Sequence, residues 1–86
     1  MRKNKYELMT KEELRKVNSV IVPRFGGQNR ILSGSFFLDG NTKLQCHITV
    51  GETSTPKSMR NIKEIGKKVK MITNAHEVYC LGVKVA

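Results

Sequence analysis

The sequence predicts an α+β fold: a small antiparallel-rich sheet, made of a hairpin and a C-terminal strand, packed against two helices in the order α-β-β-α-β. Three stretches carry that prediction. Ile31–Leu38 and Lys43–Val50 alternate around Asp39-Gly40-Asn41, the pattern of a half-buried hairpin. Thr55–Thr73 (TPKSMRNIKEIGKKVKMIT) is amphipathic at the helical period, with Met59, Ile62, Ile65, Gly66, Val69, Ile72 and Thr73 on one arc. Glu77–Val85 (EVYCLGVKV) is apolar on both faces, as a central strand is. Helices that bury one stripe against a sheet that buries one face make a two-layer domain. At 86 residues the chain is one such domain, residues 10–86, preceded by a basic arm.

Met1–Met9 (MRKNKYELM) is basic and lacks periodicity, which reads as a flexible arm. Thr10-Lys11-Glu12-Glu13 is a capping box, with Thr10 as N-cap, Glu13 at N3, and Met9 and Leu14 at the staple positions. The helix it opens is expected over Lys11–Asn18, with Leu14, Val17 and Ile21 inward. Val20-Ile21-Val22 is β-branched and Pro23 lacks an N–H, so the helix is expected to stop before them. Arg24-Phe25-Gly26-Gly27-Gln28-Asn29-Arg30 reads as a loop with an arginine at each end, a candidate phosphate clasp without the features of a P-loop.

In the hairpin, Leu32, Gly34, Phe36 and Leu38 form one apolar face with Leu44, Cys46, Ile48 and Val50. A three-residue loop, Asp39-Gly40-Asn41, sets Phe36 opposite Leu44 and Leu32 opposite Ile48. The outer face then carries Ile31, Ser33, Ser35, Phe37, Lys43, Gln45, His47 and Thr49, with Phe37 an aromatic on a polar surface. The second helix starts at Thr55 (N-cap) and Pro56 (first position). Its end has two readings. Gly66 can close a short helix, or the helix can run through it at a cost of about 1 kcal/mol and stop at Asn74; the unbroken apolar arc favours the longer form. In the last strand Tyr79, Leu81, Val83 and Val85 share one face and Val78 and Cys80 the other. The expected core joins Phe36, Leu44, Ile48, Ile62, Val69, Leu81 and Val83.

Ile65-Gly66-Lys67-Lys68-Val69-Lys70-Met71-Ile72 resembles the I-G-x-x-G-x-x-I turn of K-homology RNA-binding domains, with Val69 in place of the second glycine. The order helix, strand, strand, helix, turn, strand is similar to the type II form of that family. The resemblance implies an RNA-binding surface around that turn.

No residue pattern signals catalysis or a cofactor. Cys46 and His47 are adjacent on a strand and point to opposite faces, which spoils a shared metal site. Cys46 and Cys80 are expected to be free, buried thiols. The charged N-terminus and the short apolar runs Val20–Val22 and Phe36–Leu38 predict no signal peptide and no membrane span, hence a cytoplasmic protein, in the host cytoplasm if viral.

The net charge of +9 points to an acidic partner, nucleic acid first, an anionic membrane second and an acidic protein patch third, and the partners expected are RNA or DNA, or an acidic protein surface, with no membrane. Lys57, Arg60, Lys63, Lys67 and Lys70 on the amphipathic helix, and Arg24 and Arg30 around the Gly-Gly loop, are the phosphate-binding candidates. Lys43, Gln45 and His47 around Phe37, the stacking candidate, add an aromatic-and-basic mixture from the outer hairpin face. Two function classes follow. One is a non-enzymatic nucleic-acid-binding protein recognising backbone phosphate. The other is a small phage- or plasmid-type inhibitor or adaptor that uses the same cations to block a larger nucleic-acid-handling enzyme. A chain this short buries only roughly 60–65% of its unfolded surface, so a homodimer is compatible with either.

Overall fold

The computed structural model describes residues 6–39, 43–51 and 56–86, without the side chains of residues 39 and 56–60. The α-β-β-α-β order is present, with a short strand added at each end. Its elements are β1 (Tyr6–Leu8), α1 (Lys11–Phe25), a 3-10 turn over Gly27–Asn29, β2 (Ile31–Asp39), β3 (Lys43–Val50), α2 (Pro56–Thr73), β4 (Glu77–Cys80) and β5 (Val83–Lys84). The strands form one sheet in sequence order, β1-β2-β3-β4-β5. Every neighbouring pair is antiparallel except β3 and β4, which α2 links as a crossover.

Tyr6–Leu8, expected in a flexible arm, pairs with Phe37, Phe36 and Ser35 of β2. Met9 follows as a buried residue and donates its N–H to the Gly34 carbonyl at 2.8 Å. Three residues carry too little pattern to register as a strand; the edge of β2 selects them. Residues 1–5 lie outside the described residues.

The capping box forms as predicted. Glu13 N–H donates to Thr10 Oγ1 at 3.1 Å and Thr10 N–H to Glu13 Oε1 at 3.0 Å. The helix does not stop at Asn18. It continues through Pro23 to Phe25 and closes at Gly26, whose φ of 91° suits glycine. Leu14, Val17, Ile21 and Phe25 make an i, i+3, i+7, i+11 stripe on the core, with Val17 and Ile21 fully buried. That burial outweighs the β-branched preference of Val20–Val22, which amounts to a few tenths of a kcal/mol per residue. Pro23, exposed in the last turn, removes one i→i−4 hydrogen bond, and the helix ends two residues later.

β2 and β3 pair with Phe36 opposite Cys46, Gly34 opposite Ile48 and Leu38 opposite Leu44. This is two residues away from the expected register. The strands end at Asp39 and Lys43, so the hairpin closes one residue later than the Asp39-Gly40-Asn41 loop predicted; residues 40–42 lie outside the described residues. A two-residue slip leaves each side chain on its face, so the expected inner and outer sets survive over most of the hairpin. They fail at its start. A bulge between Ile31 and Ser33 turns Ile31 inward and leaves Leu32 55% exposed. The Asn18 side chain holds this bulge. Its Oδ1 accepts from Ile31 N–H at 2.7 Å and its Nδ2 donates to the Ile31 carbonyl at 3.0 Å.

α2 is the long helix. It passes through Gly66 and gives way at Asn74, which adopts φ 60°. A Cβ on Gly66 would lie 2.7 Å from Val85 Cγ2 and 3.4 Å from the Val85 carbonyl carbon. The glycine therefore admits the C-terminal segment, whose Val85 and Ala86 bond the Val78 backbone. The Thr55 N-cap lies outside the described residues.

The C-terminal strand is two strands. Leu81 (φ 52°) and Gly82 (φ 78°) form a two-residue turn that folds β5 back on β4. Leu81 and Val83, expected in the core, are exposed, and Leu44 is only half-buried. The core is instead built from Phe36, Cys46, Ile48, Val50, Val78 and Cys80 of the sheet against Val17, Ile21, Ile62, Ile65 and Val69 of the helices. Among the described residues no helix is long and apolar enough to cross a membrane.

Two outcomes test this packing. Asn18→Ala leaves both backbone groups of Ile31 without their partners and should cost about 1–3 kcal/mol, read as a lower urea midpoint with an unchanged m-value. Leu81→Asn should be neutral or stabilise by about 0.5–1 kcal/mol, because asparagine tolerates the left-handed backbone and the leucine buries little. A loss of more than about 1 kcal/mol on Leu81→Asn would return that residue to the core.

Candidate nucleic-acid interface

Both helices pack on the sheet face that bears Phe36, Cys46 and Val78. Alternation therefore sends Phe37, His47 and Tyr79 to the face with no helix over it. Strand pairing brings them into line. Tyr6 stands opposite Phe37, and His47 opposite Tyr79. The Tyr6 and Phe37 ring centroids are 4.8 Å apart, Phe37 and His47 meet edge to face at 5.0 Å, and His47 and Tyr79 stack at 4.8 Å with 9° between planes. The result is one aromatic series across four strands. Tyr6 (51%) and Phe37 (38%) are exposed, and His47 and Tyr79 are half-buried.

A polar network borders the rings. Glu77 Oε1 accepts from the Tyr79 hydroxyl at 3.2 Å and from Gln45 Nε2 at 3.4 Å, while Oε2 pairs with Lys84 at 3.3 Å and Lys43 at 3.7 Å. Desolvation raises the Glu77 pKa, but Lys84, Lys43 and the Tyr79 hydroxyl together outweigh it and hold the carboxyl below the usual range. Glu77 thus fixes the two lysines and one ring at the far end of the series.

The predicted site residues divide between two places. Phe37 and Lys43 lie on the open sheet face. Lys63, Lys67 and Lys70 are exposed on α2, in the helical layer on the other side of the sheet. Lys57 and Arg60 belong to the first turns of α2, but their side chains lie outside the described residues. Arg24, in the last turn of α1, pairs with Glu64 of α2 at 3.6 Å and sits 5.6 Å from the Phe25 ring centroid. Arg30 is exposed and, with Arg15, flanks a shallow groove floored by Leu14, Val22, Pro23 and Leu32. The Gly-Gly segment serves the chain turn: Gly26 caps α1, and the Asn29 amide donates to the Phe25 carbonyl at 2.7 Å.

Sequence reasoning placed His47 on the outer face, in the basic and aromatic mixture around Phe37, and it missed Tyr6, Tyr79, Glu77 and Lys84. A continuous strand puts Tyr79 on one face with Leu81, Val83 and Val85; the turn at Leu81-Gly82 ends that strand and leaves Leu81 and Val83 exposed. The alternation Tyr79 out, Val78 and Cys80 in was available from the tyrosine hydroxyl alone, since a buried one needs a partner.

Other reactive groups are occupied in structural roles. His76 accepts the Leu44 N–H on Nδ1 at 2.9 Å and donates its own N–H to the Leu44 carbonyl at 2.8 Å, which pins the start of β4 to β3. Cys46 and Cys80 are buried thiols that form no disulfide. Burial raises the Cys80 pKa against a smaller lowering by a hydrogen bond with the Val50 backbone, so the thiol stays protonated at neutral pH. Among the described residues no three His, Cys, Asp or Glu side chains gather as a metal site would require.

No protein-family model, characterised protein or solved structure matches the chain. The K-homology resemblance does not extend to the structure, because Ile65–Ile72 lies inside one unbroken helix and forms no turn.

The Glu77 network has a pH signature. A carboxyl with a depressed folded pKa stabilises the fold fully at neutral pH and loses that contribution as pH falls below its unfolded value of about 4.5. Glu77→Gln should therefore lower the melting temperature at pH 7, and the gap to the parent should be narrower at an acid pH below 4.5. An equal gap at both pH values would mean that the carboxylate charge is not what holds the network.

Proposed function

We propose that this protein binds single-stranded nucleic acid without carrying out chemistry, stacking bases on the helix-free face of its sheet. The observation that carries the reading is the Tyr6–Phe37–His47–Tyr79 series. Its rings lie on the uncovered face, and Tyr6 and Phe37 are exposed there. Every base has a π-face, so aromatic stacking gives affinity with little sequence preference. Lys43 and Lys84 stand at the edge of the series, and the net charge of +9 draws any polyanion toward the molecule. The lysines of α2 contribute to that net charge from the helical side of the sheet.

A second reading has its own support. Leu8 (67% exposed) and Leu81 line a shallow groove with Tyr6 and His47 on the same sheet face. An aliphatic edge of that kind suits a protein partner, as an inhibitor or adaptor would need.

Binding of a fluorescein-labelled octathymidylate, measured by anisotropy, tests the first reading. Phe37→Ala should weaken binding by about 1–3 kcal/mol and leave duplex binding nearly unchanged. With Lys43 and Lys84 as the cations beside the rings, about two phosphates are neutralised, and log K should fall with log salt at a slope of roughly −1 to −2 on the single strand. If the parent binds neither single strands nor duplex, as DNA or RNA, at low salt and micromolar concentration, the protein-partner reading replaces this one.

A further inference from the structure

The aromatic series and the α2 lysines lie on opposite sides of the sheet. Lys63, Lys67 and Lys70 follow an i, i+4, i+7 spacing, which sets three exposed cations along roughly 10 Å of rigid helix. Glu64, the only acid in residues 56–73, is paired with Arg24 and subtracts little from this flank. No aromatic residue occurs in that stretch, so it attracts phosphate without offering a ring on which a base could stack. The molecule measures 34 × 24 × 17 Å along its principal axes. The Debye length at 0.1 M salt is about 10 Å, less than the smallest of these extents, so charge on one face is largely screened from a strand on the other. Charge on the α2 flank therefore adds little to the hold on a strand lying across the rings.

We infer that one protein molecule holds two nucleic-acid segments at once, a single strand on the aromatic sheet face and a duplex backbone on the Lys63–Lys67–Lys70 flank. Duplex is the form with the denser phosphate array and the one that charge alone holds best. The protein would then tether a single strand to a neighbouring duplex. The inference rests on the stacking reading of the sheet face and adds a separate site to it.

The test uses a donor-labelled octathymidylate and an acceptor-labelled hairpin duplex without single-stranded ends, mixed with the full chain at about 0.1 M salt. Energy transfer should appear near equimolar protein and decline when protein is in excess, as the two ligands distribute onto separate molecules. Lys63→Glu with Lys67→Glu should reduce duplex binding at least tenfold, abolish transfer and leave octathymidylate binding within about threefold. Phe37→Ala should do the reverse. Circular dichroism melting of each variant confirms that it is folded. Displacement of the octathymidylate by unlabelled duplex would show one shared site and overturn the inference while the stacking reading stands. Transfer that persists in the double lysine variant would overturn it too, since the bridge would then be made some other way. Failure of the parent to bind either ligand would overturn both.

Discussion

Two helices cover one face of a five-stranded sheet and leave the other bare, and most other features follow from that constraint. Phe36, Cys46, Ile48, Val78 and Cys80 must face the helices because only there can they leave water. Strict alternation then forces Phe37, His47 and Tyr79 outward together, and strand pairing sets them side by side. The same layering puts the cations of α2 on the opposite surface. A single decision, which side the helices take, separates rings from lysines.

The helical layer is fixed to the sheet at a few specific points. The Asn18 amide bonds both backbone groups of Ile31, so α1 holds the start of β2 and the bulge there in one stroke. Gly66 lets the C-terminal segment approach α2 more closely than any side chain would allow. His76 binds Leu44 through both its ring and its backbone, which sets the entry of β4 beside β3. Each contact joins residues distant in sequence at the junction of two elements, where a small shift would alter strand register and with it the alignment of the outer rings.

The open face combines two kinds of surface. Its rings present apolar area and π-faces, while Glu77 draws Lys43 and Lys84 to one end. That carboxylate offsets part of the local positive charge, so the face owes its binding capacity more to stacking than to charge. On α2 the balance is the reverse. The division gives the molecule two surfaces with different preferences in one small domain, and it explains why a single list of cations and aromatics does not describe one contiguous site.

Local patterns in the sequence determined a good deal. The capping box at Thr10 and Glu13, the amphipathic arc of Thr55–Thr73 and the alternation of the hairpin each depend on residues a few positions apart, so they were legible before any tertiary contact was known. Those patterns also placed Phe37 outward and the lysines of α2 in solvent. Tertiary structure decided what depends on distant partners. It carried α1 through Pro23, because the core rewards burying Ile21 and Phe25 more than local preference resists it. It recruited Tyr6–Leu8 as an edge strand on β2, turned Ile31 inward through the Asn18 clasp and reversed the chain at Leu81-Gly82. The last of these exposed Leu81 and Val83, and together with the strand alignment it brought Tyr79 into line with His47. The candidate site was therefore only partly visible in the sequence: its members are spread over four strands, and neighbours across a sheet are set by pairing between segments, which local periodicity does not encode.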